Sequence, residues 1–182
     1  KLGFAEEDAD ESYLGLTDAD SHKSPERRYP ASKLDRFVSK HKQVHLNYSA
    51  DFDSGFGLDT KAYFNEFHRS WNKFAGFIDG PSAQNVLRDP SSYVSAYETL
   101  TGEKDSKVGY FTDLTIDVTD NNRKYSSQGI QLDLTKDFSL LAADYRLKLG
   151  LRYHEDDVRR HHQQRSYLMA SGNMVSDGIA RP

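Results

Sequence analysis

The chain has 182 residues and no cysteine, so neither a disulfide framework nor thiolate chemistry is available to it. Its 24 basic and 28 acidic residues leave a net charge of -4, which gives no indication of a nucleic-acid partner. Only 36% of the residues are hydrophobic, and no stretch approaches the roughly 18 consecutive apolar residues of a membrane helix. This composition does not exclude a membrane β-barrel, because a barrel strand needs an apolar residue only at every second position.

Alternation of apolar and polar residues predicts strands in the first half of the chain. Residues 1–15 begin with such an alternation and then become acidic. A polar connection with two prolines follows over 16–33 and is too long for a hairpin turn. Two long strands are predicted over roughly 34–52 and 56–77, with only a tight break between them.

The second half of the chain is predicted to hold one long connection, a short helix and further strands. The connection covers 78–122 and contains a helix over 91–101 and an outlying strand over 112–119, and strands over 123–137 and 145–154 follow it. The helix is expected to stop at Gly102, and the chain is expected to end in another polar stretch.

The lengths of the connections favour one kind of β-sheet. They run long, short, long, short along the chain, and short turns on one side with long loops on the other are typical of outer-membrane barrels. A soluble sandwich or a lipocalin distributes its loop lengths more evenly. Because Lys1–Phe4 already reads like the middle of a strand, we expect the chain to be an internal piece of a longer protein.

The strand over 145–154 shows the two faces that a barrel requires. Tyr145 and Tyr153 enclose three leucines in one phase of the alternation, as in a lipid-facing band with aromatic residues at both interfaces. The other phase is basic and must face a wet interior or a polar plug: Arg146, Lys148, Arg152 and His154. In a soluble protein the leucine face would be the core and the basic face would be solvated surface.

Five local sequences resemble a known family, in the same order and with similar spacing. They are Tyr13-Leu-Gly-Leu-Thr-Asp-Ala-Asp20, Arg27-Arg-Tyr-Pro-Ala-Ser-Lys-Leu-Asp35, Ala62-Tyr-Phe-Asn-Glu-Phe-His-Arg-Ser-Trp71, Asn121-Asn-Arg-Lys-Tyr-Ser-Ser-Gln-Gly-Ile-Gln131 and Leu149-Gly-Leu-Arg-Tyr-His-Glu-Asp-Asp157. Together they resemble the barrel of TonB-dependent outer-membrane receptors, specifically the ferric dicitrate receptor branch. The resemblance spans nearly the whole chain.

The resemblance implies a fold and a function. Receptors of this family have a 22-stranded antiparallel barrel around an N-terminal plug, and residues 1–182 would supply about five strands from its middle, without the plug or the terminal strands. They sit in the bacterial outer membrane, among lipid and lipopolysaccharide, and import ferric citrate or another ferric siderophore. The TonB complex supplies the energy through a short N-terminal box that lies outside this sequence. The cargo is a ferric chelate, and no cofactor is implied.

Four arginines are the candidate ligand-binding residues: Arg27, Arg28, Arg69 and Arg123. Ferric citrate is anionic, and guanidinium can donate two parallel hydrogen bonds to a carboxylate. Arg27 and Arg28 belong to the first long connection, Arg69 continues the polar phase of its strand, and Arg123 opens the next one. Because residues 21–26 depart from the family pattern, the chelate stays open between ferric citrate, another siderophore and a cargo without iron.

The sequence also bears on functions other than transport. No nucleophile motif or glycine-rich phosphate loop appears, and His154 lacks the second histidine of a zinc-protease helix, so we expect neither an enzyme nor a metal site. A passive porin would share the strand pattern but would have no plug and no energy coupling. A soluble β-sandwich binding module would use the leucine faces as a closed core.

Overall fold

The computed structural model of the protein describes residues 1–106 and 114–181, with side chains as far as residue 178. In these ranges the chain is mostly β-structure and forms one antiparallel sheet in which the strand order follows the chain. The strands are β1 (Leu2–Ala9), β2 (Arg36–Phe52), β3 (Phe56–Phe77), β4 (Ile116–Leu140), β5 (Ala143–Ala170) and β6 (Asn173–Arg181). The prediction of an all-β chain is confirmed.

The two long connections contain short helices. The first holds α1 (Asp18–Lys23) and a 3-10 turn over Pro30–Ser32, and the second holds α2 (Ala83–Arg88) and α3 (Val94–Thr101). Among the described residues, no helix is long and apolar enough to cross a membrane. Only α3 was predicted, because the other helices are too short to show a periodic pattern.

The strands are longer than predicted towards the end of the chain. The strands expected over 112–119 and 123–137 are one strand, β4, and residues 112 and 113 lie outside the described residues. The prediction that the chain ends in a polar stretch outside the strands is wrong, because β5 continues to Ala170 and β6 follows it. Charged residues occupy both faces of β5 beyond His154, so the apolar alternation disappears there although the backbone remains extended.

Three tight turns connect neighbouring strands. The turn between β2 and β3 closes at Gly55, whose N–H donates to the carbonyl of Phe52 at 2.8 Å. The turn between β4 and β5 places both Leu141 and Ala142 at positive φ, as a two-residue hairpin requires. The turn between β5 and β6, which was not predicted, uses a serine and a glycine at positive φ.

The chain packs as two compact units. Unit 1 comprises residues 1–6, 39–68 and 123–159, and unit 2 comprises 7–38, 69–122 and 160–182. Unit 2 holds the described apolar core, which packs the helices of the long connections against strand ends: Ala31, Phe74, Phe77, Val86, Ala96, Leu100, Ile116, Val118 and Met169. The long connections are therefore packed structures with their own buried interior.

The end of α3 was predicted at Gly102, and the structure confirms it. Gly102 has a φ of +77°, and its N–H bonds back to the carbonyl of Thr99. A β-carbon at this position would lie 2.9 Å from Cγ of Pro30. A left-handed conformation and a close neighbour therefore both require glycine here.

Replacing Gly102 with alanine is expected to destabilise unit 2 by about 1 to 2 kcal/mol, because the new side chain is strained and meets Pro30. Hydrogen exchange of the α3 amides in the full-length protein measures this change. Gly15→Ala is the matched control, since a β-carbon at Gly15 has no atom within 4 Å. Equal exchange rates in the two variants would contradict the expectation.

Candidate ligand-binding residues

One face of unit 1 carries large apolar side chains that stay exposed. On β5, Leu147, Leu149 and Leu151 are 60%, 66% and 69% exposed. Tyr145 and Tyr153 of β5 extend this surface, which we call the apolar face. It also includes exposed side chains in the matching phase of neighbouring strands: Leu2, Phe4, Val44, Leu46, Tyr48, Phe52, Phe64, Ile130 and Leu134. Exposed apolar surface of this extent is rare on soluble monomers and marks contact with an apolar partner or phase.

The apolar face ends where ion pairs begin. Lys40 Nζ lies 2.6 Å from Oε1 of Glu6, and Lys124 Nζ lies 2.7 Å from Oε2 of Glu66. On β2, β3 and β4 these residues continue the same phase of the alternation. At this end of the strands the exposed apolar side chains therefore give way to charged pairs.

The opposite face of unit 1, which we call the polar face, is organised around Tyr63. The Tyr63 ring stacks against His45 at 6.4 Å between centroids and lies 5.7 Å from the ring of His154. The Tyr63 hydroxyl hydrogen-bonds Nδ1 of His154 and accepts from Arg152 at 3.4 Å. Nε2 of His154 lies 2.9 Å from a carboxylate oxygen of Asp156. The group ties β2, β3 and β5 together.

Tyr63 reaches β5 from β3 because β4 carries a glycine between them. A β-carbon on Gly129 would lie 2.6 Å from the Tyr63 hydroxyl oxygen. Gly129, which belongs to the family-like motif over residues 121–131, therefore leaves the space in which the Tyr63 side chain crosses β4.

Arg123 lies on the polar face of unit 1. Its Nη1 donates to the Tyr125 hydroxyl at 3.4 Å, and the Tyr125 ring lies 6.1 Å from that of Phe67. Phe67 and Tyr125 border a depression of about 350 Å³ that Asn65 and Asp156 also line. Of the four candidates, Arg123 is the one placed on this face of unit 1.

Arg27 is engaged within unit 2. Its Nη1 donates to Oδ1 of Asp20 at 2.9 Å, and its guanidinium carbon lies 5.3 Å from the centre of the Tyr29 ring. The other Asp20 oxygen accepts the hydroxyls of Tyr29 at 2.5 Å and Tyr97 at 2.6 Å. These four side chains, which we call the Asp20 clip, join the first long connection to the second.

The contacts of the Asp20 clip shift the pKa values of Asp20, Tyr29 and Tyr97. Hydrogen bonds from Tyr29 and Tyr97 lower the pKa of the Asp20 carboxyl, and the charge of Arg27 lowers it further. Burial, followed by the hydrogen bond to Asp20, raises the pKa of both tyrosines above the usual phenol range. The clip therefore holds an ionised carboxylate and two neutral phenols at neutral pH.

The donors of Arg28 are directed to the chain itself. Nη1 donates to the Asp10 carbonyl at 3.1 Å, and Nη2 donates to the carbonyls of Asp35 at 2.7 Å and of Ser32. Nε donates to the Ser32 hydroxyl at 3.4 Å. In this arrangement Arg28 fixes the first connection to the start of β2, and its fork is occupied by backbone oxygens.

Arg69 differs from Arg27 and Arg28. It is half-buried on β3 in unit 2, and in the described ranges it forms no hydrogen bond or ion pair. A guanidinium keeps its charge under all physiological conditions, so Arg69 offers an uncommitted fork to an anion. Of the four candidates, it is the one for which the described residues supply no hydrogen-bond or ionic partner.

No family model, curated protein or solved structure matches the chain. The resemblance to TonB-dependent receptors therefore rests on its five sequence motifs. Within residues 1–106 and 114–181, no group of three or more histidine, aspartate or glutamate side chains is arranged to hold a metal ion.

Sequence reasoning missed the importance of two acidic residues in the first connection. Asp20 anchors the clip, and Asp35, only 1% exposed, accepts the N–H of Phe74 at 2.6 Å and the Ser12 hydroxyl at 3.2 Å. Burial raises the pKa of Asp35. Both residues lie inside the family-like motifs. Their roles are not predicted by any local pattern, because partners such as Tyr97 and Phe74 are distant in sequence.

Proposed function

We propose that the chain is a middle part of the β-barrel of a bacterial outer-membrane receptor. The receptor binds a ferric chelate, ferric citrate or a similar siderophore, at its outer face and imports it with energy from the TonB complex. The observation that carries the proposal is the exposed apolar face of unit 1, which is backed by a polar face on the same strands.

The apolar face has the properties of a lipid contact. Leucines in its centre are flanked by Tyr145 and Tyr153, and amphipathic rings favour the two interfaces of a bilayer. Charged pairs begin where the apolar face stops. A soluble sandwich needs a second layer over these leucines, whereas lipid covers them without one.

The connections also support a receptor rather than a simple pore. Those from β1 to β2 and from β3 to β4 are long, and they fold into helices around a buried core. The turns from β2 to β3 and from β4 to β5 are tight, as on the periplasmic side of barrels. The tight turn from β5 to β6 falls on the side of the long connections, so one outer loop of the proposed barrel is short.

The arginines divide into two roles in this proposal. Arg69, with no partner among the described residues, and Arg123, on the polar face, supply charge to an anionic chelate. Arg27 and Arg28 maintain the long connections through their contacts with Asp20 and with backbone carbonyls. Each group has a different expected phenotype.

The test uses the complete receptor in a bacterium whose own gene for it has been deleted, with ferric citrate as the sole iron source. We expect wild type to restore growth only when TonB is present. Arg69→Ala is expected to weaken uptake of labelled ferric citrate about tenfold, which corresponds to about 1.4 kcal/mol, with normal amounts of folded receptor. Arg28→Ala is expected to reduce the amount of folded receptor instead.

Three outcomes would each count against part of the proposal. TonB-independent growth would identify a passive porin. Failure of wild type on ferric citrate, with a correctly inserted barrel, would remove this chelate as the cargo. Equal uptake by Arg69→Ala and wild type would remove Arg69 from the ligand site.

A further inference from the structure

Lys73 on β3, like Arg69, has no carboxylate partner among the described residues. Its Nζ lies 4.5 Å from the centre of the Tyr13 ring and 5.3 Å from that of Trp71. In the part of the chain that the structure describes, it forms no ion pair. Cation–π contacts leave the ammonium hydrogens on the far side of the rings free to donate.

Trp71 lies between the two uncommitted cations. Because side chains alternate along a strand, Arg69, Trp71 and Lys73 share one face of β3. The indole packs edge to face against Tyr13 at 5.6 Å and Phe37 at 5.9 Å. Its Nε1 is buried without an acceptor among the described residues. These three side chains of β3 present only hydrogen-bond donors.

The ring that supports Lys73 is held in place. The backbone N–H of Tyr13 donates to Oδ2 of Asp35 at 3.4 Å, and the same oxygen accepts the Ser12 hydroxyl at 3.2 Å. The second oxygen of Asp35 accepts the N–H of Phe74, the neighbour of Lys73, at 2.6 Å. One buried carboxylate therefore fixes the Tyr13 backbone next to the strand that carries Lys73.

We infer that Arg69, Trp71, Lys73 and Tyr13 form a binding site for a polycarboxylate anion. The α-carbons of Arg69 and Lys73 are about 13 Å apart along an extended strand, so one small monovalent anion does not engage both. A ligand with several carboxylates places one on the Arg69 fork and another on the Lys73 ammonium. The Tyr13 and Trp71 rings lie against the Lys73 ammonium and so position it on the strand.

The inference rests on the proposed function, because it assigns residues to the chelate of that receptor. It adds Lys73 as the residue that distinguishes carboxylate-rich ligands from neutral ones. Arg69 and Lys73 together predict that affinity falls as the ligand loses carboxylates and as the salt concentration rises.

The experiment is calorimetric titration of the complete receptor, in detergent, with ferric citrate and with citrate alone. Lys73→Met keeps the length of the side chain and removes its charge, and we expect a dissociation constant about tenfold higher. Lys73→Arg is expected to stay within about threefold of wild type. Lys42→Met is the control. It removes an exposed lysine of β2 that lies on the face of the sheet opposite to Lys73, so the dissociation constant is expected to stay that of wild type.

The outcomes separate the two proposals. If wild type binds ferric citrate and Lys73→Met binds it equally well, the site is wrong and the proposed function stands. If wild type binds neither ligand, ferric citrate is removed as the cargo and the polycarboxylate site is overturned with it. If Lys73→Met does not fold, Tyr13→Leu decides: this exposed ring supports the ammonium, so weaker binding is expected, and unchanged binding overturns the site.

Discussion

Replacing Asp20 with alanine is expected to lower the free energy of opening of unit 2 by about 3 kcal/mol. The change removes the acceptor of two tyrosine hydroxyls and the ionic partner of Arg27. A buried hydroxyl or charge that loses its partner costs more than the net value of the bond itself. Hydrogen exchange of α1 and α3 in the full-length protein measures the loss, since the clip joins the connections that contain these helices.

Asp18→Ala is the control for this substitution. Asp18 lies in the same helix but is exposed, so its removal is expected to cost less than about 0.5 kcal/mol. Tyr97→Phe should give an intermediate loss, because Tyr29 and Arg27 still satisfy the carboxylate. Equal protection of α3 in Asp20→Ala and Asp18→Ala would show that the clip does not hold the connections together.

The same clip predicts how the stability of unit 2 depends on pH. The pKa of Asp20 is lower in the folded state, so its stabilisation is present above the usual carboxyl pKa near 4 and is lost as the pH falls through the lowered value. The pKa of Tyr97 is raised, so its stabilisation is present below the usual phenol value near 10 and is lost as the pH rises through the raised value. Exchange protection of α3 should therefore be level between these limits and fall on both sides, and Asp20→Ala should flatten the acid limb.

A spin label at Leu149 is expected to lie in lipid, and one at Lys148 in water. The two positions are adjacent on β5 and point to opposite faces. In the complete receptor reconstituted in a bilayer, we expect the label at Leu149→Cys to relax with oxygen, which concentrates in lipid. The label at Lys148→Cys should relax with a water-soluble nickel reagent. Residues 1–182 contribute no native cysteine, and any cysteine elsewhere in the receptor is replaced before labelling.

A charge at the same position gives an energetic version of this prediction. Leu149→Arg is expected to cost about 2 to 4 kcal/mol of barrel stability if the position lies near the bilayer midplane. Lys148→Arg places the same side chain one residue away and should stay within about 0.5 kcal/mol. Protection of a label at Leu149 from both relaxation agents would instead indicate a closed protein core, as in a soluble module.

Local sequence patterns predicted some strands and helix ends accurately and others not at all. Strands β2 and β3 were predicted within a few residues, because apolar residues alternate there on one face. The part of β5 beyond His154 was not predicted, since charged residues occupy both of its faces there and the apolar alternation is lost. The stop of α3 at Gly102 was predicted, because a helix end at glycine depends on the local backbone alone.

The candidate site was predicted less completely than the strands. Residue type and motif identified Arg27, Arg28, Arg69 and Arg123 as cations, but could not tell which of them were already paired. Arg28 donates to carbonyls that only folding brings to it, whereas Arg69 is left without a partner among the described residues. Lys73 was overlooked, because its contact with Tyr13 crosses some sixty positions of the chain.

The sequence by itself determined the two-faced strands, because side-chain alternation is a property of each strand alone. It also determined the length of the connections and the types of residue that they contain. Only the tertiary structure decided which of these side chains have hydrogen-bond or ionic partners among the described residues and which have none. Hydrogen bonds of Asp20, Asp35 and Arg28 join segments far apart in the chain, and such pairings are set by packing rather than by local pattern.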